Sequence, residues 1–285
     1  RQALIERRFA PGDDVRELVR QILTRTGGNP FFITEILDSL LERGILVQES
    51  TGEQTALRWH RSEEPIQIPT SVETLLATRI DQLDETLKPV LAHASVLGSR
   101  FDNGELADLM LLPVGTKLTV HLDALVEKGL LRADKQGHAF PNDMTMTVAY
   151  RMVPSEDRIR LHKRAATNLR KTAGAMQRLA YVARHLELAG ESEAAAGEYL
   201  AAATHAMHVG SMGDALHQLG RCLRLYASNQ HRERFDVHVL RVEALRRMAK
   251  RPLQLREIEA LMREAEHLGE AGKLAIAHAR LTDFR

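Results

Sequence analysis

Apolar residues recur every three to four positions through most of the chain, and each such run predicts a helix with one buried face. The first comprises Val15, Leu18, Val19, Ile22 and Leu23; Pro11, Asp13 and Asp14 open it, and Gly27 and Gly28 stop it. A second starts near Pro30 and places Ile33, Ile36, Leu37, Leu40 and Leu41 on one face up to Gly44. Helical spacing then gives way to two short extended pieces, ILVQ at 45–48 and ALRW at 56–59. The polar stretch STGEQ between them predicts a small hairpin.

Beyond the proline-bracketed linker EEPIQIPTS, where Ser71 can cap the next helix, four helical segments follow: SVETLLATRIDQL, ETLKPVLAHASVLG, ELADLML and KLTVHLDALVEKG. GLLRAD and GHAF then alternate around a turn at Lys135 to Gly137, and DMTMTVAYRMV closes the block. Short helices followed by a two-stranded wing is the winged-helix order, a variant of helix-turn-helix. From about Pro154 the pattern is helical throughout. Small residues at Ala202, Ala203 and Ala206 allow close helix packing, and a turn falls at Gly210 to Gly213. The twelve-residue step from Ala203 to Ala215, with Leu219 four further on, fits a tetratricopeptide-like hairpin. The expected fold is therefore mainly α: a helical lid with a small hairpin over 1–64, a winged-helix domain over 65–153, and a tetratricopeptide-like solenoid over 154–285.

Composition narrows the function classes. In 285 residues, 44% hydrophobic and 27% charged content excludes disordered and collagen-like chains. No apolar run reaches the length of a membrane span, and RQALIERRF lacks the apolar core of a signal peptide, so a cytoplasmic protein with no membrane partner is expected. The chain starts without methionine in what reads as a helix, which suggests a piece of something larger. Cys222 is the single cysteine, and the 13 histidines include no HExxH, so no metal site is expected. A net charge of +1 argues against nucleic acid as a general electrostatic partner.

No GxxxxGK[ST] loop, GxGxxG, GxSxG or kinase signature occurs, so no catalytic residue is assigned and catalysis by this chain alone is not expected. GGNPFF is more specific. Locally, Gly28 ends one helix, Asn29 caps the next and Pro30 occupies its first turn, where a missing N–H is harmless. A proline fixed there also presents a rigid apolar face to a purine, beside N–H groups that favour anions.

The ordered series GGNPFFITEILDSLLERGIL, IPTSVETLLATRIDQLDE, LAHASVLGSRFD, LDALVEKGLL and AYRMVPSEDRIRLHKRAA resembles the back half of bacterial STAND ATPases, signal-transduction relatives of the AAA superfamily. Such modules occur behind adenylate cyclase and serine/threonine kinase domains and in large ATP-dependent transcriptional regulators. The resemblance implies that Gly28, Asn29 and Pro30 match the GxP motif of the lid, whose proline packs on adenine; a purely structural junction is the alternative. It also implies a sensor histidine where the wing enters the last helix, and here Phe140-Pro141-Asn142 puts asparagine at that position. Asn142 can donate a hydrogen bond to a diphosphate but cannot become cationic.

The cofactor implied is ATP or ADP in the intact parent, with Mg supplied by an upstream P-loop domain; this fragment alone holds none. The helical repeats would bind a protein or small-molecule inducer. A winged-helix DNA-binding regulator and an ATP-independent interaction scaffold are the alternatives. The candidate recognition helix offers Lys117, His121 and Lys128 but also Asp123 and Glu127, which would repel phosphate. Of the remaining polar residues, Arg79 reads as an ion pair with Glu73, Asp81 or Asp84 within its own helix. His138 reads as a wing surface residue, and Arg158, His162 and Arg164 as a basic helical patch. Met144, Met146 and Met152 read as core, and Cys222 as a buried hydrophobe.

Overall fold

The computed structural model describes residues 16–26, 30–42, 44–51, 54–59, 71–113, 118–135, 137–171 and 175–284. The expected helix opening at Pro11 to Asp14, the linker before Ser71 and the Gly28-Asn29 pair lie outside them. The architecture is mainly α, with fourteen helices and two small antiparallel sheets among the described residues. Contacts divide the chain into two compact units, Arg1–Asn103 with Gly115–Val153, and Gly104–Val114 with Pro154–Arg285.

The first unit opens with α1 (Arg16–Thr26) and α2 (Pro30–Glu42), then the hairpin β1 (Leu46–Thr51) and β2 (Gln54–Trp59). In register, Leu46 faces Trp59 and Thr51 faces Gln54, so both strands run longer than the alternating apolar positions suggest. Leu18, Val19 and Ile22 of α1 pack with Phe32, Ile36, Leu37 and Leu40 of α2, and Leu46, Leu57 and Leu75 complete the cluster. Because Leu75 belongs to α3 (Val72–Asp81), α1, α2 and the hairpin share one core with α3. Ser71 caps α3 as expected, its hydroxyl accepting the Thr74 N–H at 3.1 Å.

The winged helix continues through α4 (Leu87–Leu97), β3 (Arg100–Phe101), α5 (Asn103–Met110), α6 (Leu118–Glu127), β4 (Arg132–Asp134), β5 (Gly137–Ala139) and α7 (Asp143–Met152). The wing is a three-stranded sheet in the order β3-β5-β4, one strand more than the sequence pattern suggests. Gly137 has φ +144°, and a Cβ there would fall 2.4 Å from the Phe101 carbonyl oxygen, so glycine is what lets β5 sit against β3.

The second unit takes Gly104–Val114 together with α8 (Ser155–Lys171), α9 (Ala175–Leu188), α10 (Ser192–His208), α11 (Met212–Leu225), α12 (His231–Arg247), α13 (Arg251–Leu268) and α14 (Ala271–Phe284). Antiparallel neighbours pack in chain order. Ala203, Ala215 and Leu219 are all fully buried, as the tetratricopeptide-like spacing requires. Tyr199, Ala203, Leu219, Cys222 and Val237 share one cluster, so consecutive helix pairs are cemented through small and large residues in alternation.

Candidate functional site

Pro30 begins α2 and is exposed, its carbonyl accepting the Thr34 hydroxyl at 3.0 Å. One turn and a half further on, Glu35 of the same helix is buried. It meets Arg79, whose Nη1 donates to Glu35 Oε2 at 2.7 Å, while Nη2 donates to Glu42 Oε1 at 2.9 Å and to the Lys128 carbonyl at 2.8 Å. The guanidinium therefore joins α2, α3 and the turn after α6. This corrects the expected pairing within its own helix. Arg79 stands one turn after Leu75 on the buried face of α3, so it points away from Asp81 and Asp84, and Glu73 is taken by Arg151 at 3.1 Å instead. Burial raises the Glu35 carboxyl above its ordinary range; Arg79 opposes this but does not cancel it, and Asp38 and Glu42 reinforce it.

Asn142 is the N-cap of α7. Its Oδ1 accepts the Thr145 N–H at 2.9 Å and the Thr145 hydroxyl at 3.2 Å, which leaves the Nδ2 hydrogens without a partner among the described residues. Gly28 and Asn29 are outside the described residues, so of the matching motif only Pro30 is seen. On α6 the exposed positions include Val120, Asp123 and Glu127, an apolar and acidic face for a would-be recognition helix.

Three polar residues sit elsewhere than the sequence suggests. His138 is buried, not on the wing surface: its Nδ1 lies 2.8 Å from Asn103 Oδ1 and its ring stacks on Phe101. β5 is the central strand of the sheet, and successive residues His138, Ala139 and Phe140 are all buried, so both of its faces are covered. His162 and Arg164 do not form a basic patch. Arg164 donates to the Leu109 carbonyl, and His162 is buried with its Nδ1 2.8 Å from that of His185. The methionines are less buried than core spacing implies, Met144 and Met152 being about 37% and 38% exposed. Cys222 is fully buried, donates to the Ala196 carbonyl at 3.3 Å, and burial pushes its thiol up to about 12.

The repeats hold a charged network that the motif search missed. Glu187 Oε2 accepts from the Tyr199 hydroxyl at 2.7 Å and from Arg221 Nε and Nη2 at 3.1 and 2.6 Å. Arg221 also lies 5.3 Å over the Tyr199 ring. Burial would raise Glu187, but the Arg221 and Tyr199 hydrogen bonds together hold it below the usual carboxylate range. A signal was present: Glu187 and Arg221 are 34 residues apart, the length of one tetratricopeptide repeat. Further along, Glu257 accepts from His238 Nδ1 and Arg241 Nε, both at 2.6 Å, and Glu264 accepts from His231 and Arg234.

The class that fold and geometry define is a mainly α chain in which a small helical module and winged helix are tied by one buried arginine and followed by helical repeats. Among family models, residues 1–50 match a family described as "Domain of unknown function (DUF8739)". Among solved structures, the chain is similar to that of a Signal Transduction ATPase with Numerous Domains (STAND) protein with a tetratricopeptide repeat sensor from Pyrococcus horikoshii. Identity is 13% and the TM-score 0.38; the likeness covers 99% of this chain and 43% of that one, so this chain spans less than half the length of that protein. No curated protein matches. Among the described residues no helix is long and apolar enough to cross a membrane.

Proposed function

We propose that the chain is the regulatory portion of a nucleotide-switched signalling ATPase. Residues 1–153 cover and sense ADP or ATP held by a phosphate-binding core upstream of Arg1, which also supplies Mg, and the helical repeats bind an inducer. The observation that carries this reading is the setting of α2. Its proline start is open to a ligand, while the helix behind it is clamped by Arg79 to the winged helix. A planar guanidinium holding two carboxylates and a carbonyl at once resists shear, so a displacement at Pro30 reaches α3 and the turn after α6 as a rigid step. Nucleotide that favours one position of α2 thereby biases the winged helix, and the repeats respond to that bias. Asn142 offers its free amide hydrogens to a phosphate oxygen in the same scheme.

The test uses the natural gene product that contains this chain. It should encode a GxxxxGK[ST] loop ahead of Arg1, retain ADP through purification, and lose about tenfold in ADP affinity with Pro30→Ala, the scale of one lost apolar ring contact. A product without the loop, or one whose ADP affinity is unchanged by Pro30→Ala, overturns the reading.

A further inference from the structure

Within the repeat unit a depression of about 160 Å³ lies among α9, α10 and α11, lined by Tyr181, Arg184, Tyr199, His217, Gln218 and Arg221. A cavity of roughly this size admits a benzene ring. Its charge is one-sided. Arg184 is exposed and makes no ion pair or hydrogen bond among the described residues. Arg221 is already fixed in place, because Glu187 grips its Nε and Nη2 and the Tyr199 ring supports it, while Nη1 is not used by Glu187. Glu187 thus neutralises one guanidinium, and the second stands uncompensated at the mouth. Tyr181, 61% exposed, leaves a large aromatic face in water beside that unpaired cation. His217 and Gln218 add hydrogen-bonding groups from α11.

We propose that this depression binds a small organic anion, a carboxylate or phosphate carried on a ring-sized stem. Arg184 holds the anion as a planar fork, with Arg221 prepositioned to share it, and Tyr181 covers the stem. Prepositioning matters because a guanidinium already ordered by Glu187 loses little further freedom when an anion arrives. The site names a chemical class for the inducer of the proposed switch and rests on that reading for its regulatory meaning, but binding itself needs no nucleotide.

The 285-residue chain is titrated in nucleotide-free buffer with phenyl phosphate, benzoate and inorganic phosphate, followed by calorimetry and by amide resonances of α9 and α11. Phenyl phosphate or benzoate should bind saturably and shift those resonances, with inorganic phosphate about tenfold weaker for want of a stem. Arg184→Gln should weaken the aryl anion by about tenfold at unchanged melting temperature, and Arg184→Lys should fall between the two. No saturable binding by either aryl anion, equal affinity for inorganic phosphate, or affinity indifferent to Arg184→Gln overturns the proposal. Loss of ADP binding in the parent would leave these results standing, so the two failures are distinguishable.

Discussion

Each unit of the chain secures its helices with arginine–glutamate contacts, yet the two do so in different ways. In the first, Arg79 reaches partners 37, 44 and 49 residues away, and its bond with Glu35 is shut off from water, their side chains being 7% and 10% exposed. In the repeats, Glu187 of α9 binds Arg221 of α11 one repeat away, their side chains 26% and 29% exposed, and Glu257 binds Arg241 of the preceding helix 16 residues away, their side chains 11% and 23% exposed. A buried pair that closes a long loop has no water to fall back on. A pair with about a quarter of each side chain in water, as Glu187–Arg221 has, can exchange its partner for solvent. Among the described residues the first unit's buried ion pairing therefore rests on a single side chain, whereas the repeats spread their pairs along the array.

The largest effect should come from breaking that single side chain. Arg79→Met leaves Glu35 as an unpaired buried carboxylate and should cost the first unit about 4 kcal/mol, the range for one-sided removal of a buried ion pair. Trp59, the only tryptophan, lies in β2 and reports on this unit by fluorescence during urea unfolding. Arg221→Met in the repeats, where Glu187 keeps the Tyr199 hydroxyl and gains water, should cost about 1 kcal/mol by circular dichroism. Adding Glu35→Leu to Arg79→Met should recover most of the loss. Equal costs at the two arginines would erase the distinction drawn between the units.

Acid should separate the units next. His162 and His185 share one Nδ1–Nδ1 hydrogen bond, so one ring donates and the other must stay unprotonated to accept. Burial first, then each other's charge and Arg184 nearby, lower His162 to about 3, and burial with Arg184 lowers His185 to about 4. Both folded values lie below the ordinary 6.5, so their contribution is complete above pH 6.5 and drains away as pH falls toward 4 and then 3. Counted as one coupled proton, the repeats should lose on the order of 3 kcal/mol by pH 4. Glu35 has the opposite sign. Its raised carboxyl contributes fully below the unfolded value of 4.5, and that contribution is lost as pH rises through the folded value, so acid relieves the first unit there. Urea melts across this range should show circular dichroism transitions moving earlier while the Trp59 transition resists. Replacing both histidines with glutamine should flatten the repeat slope, and a slope that survives would assign it to other groups.

The same contrast decides what the sequence reveals. Ala203, Ala215 and Leu219 were legible because a repeat buries residues at a fixed local spacing, and Ser71 was legible because capping involves only three residues of chain. Arg79 was legible as an ion-paired arginine but not in its partners. Local spacing proposed Glu73, Asp81 and Asp84, whereas the partners come from a helix 44 residues earlier and from a turn 49 residues later. His138 and His162 were misplaced for a related reason: each is polar, and the group that makes its burial tolerable, Asn103 or His185, is brought by another element. Met144 and Met152 show the converse, apolar residues at helical spacing on α7 that the described residues leave partly exposed. For the candidate site, Pro30 was readable as an open helix start, but nothing in the local pattern announces the clamp behind it.

A stability effect no larger than that of Arg221→Met belongs to Asn142, and it tests whether that clamp serves a nucleotide. Asn142→Ala removes the Oδ1 acceptor for Thr145 and should cost the first unit about 1 kcal/mol, the usual value of an N-cap, seen as an earlier Trp59 transition. Asn142→Asp keeps an acceptor at the same place and adds a negative charge that suits a helix start, so the cap and the stability should persist. The same change replaces the free amide hydrogens with a carboxylate oxygen, which repels phosphate. In the natural parent, Asn142→Asp should therefore lower ADP affinity at unchanged stability if the amide reaches the nucleotide. Unchanged ADP affinity would make Asn142 a helix cap and nothing more, and the sensing role would fall to Pro30 and the Arg79 clamp.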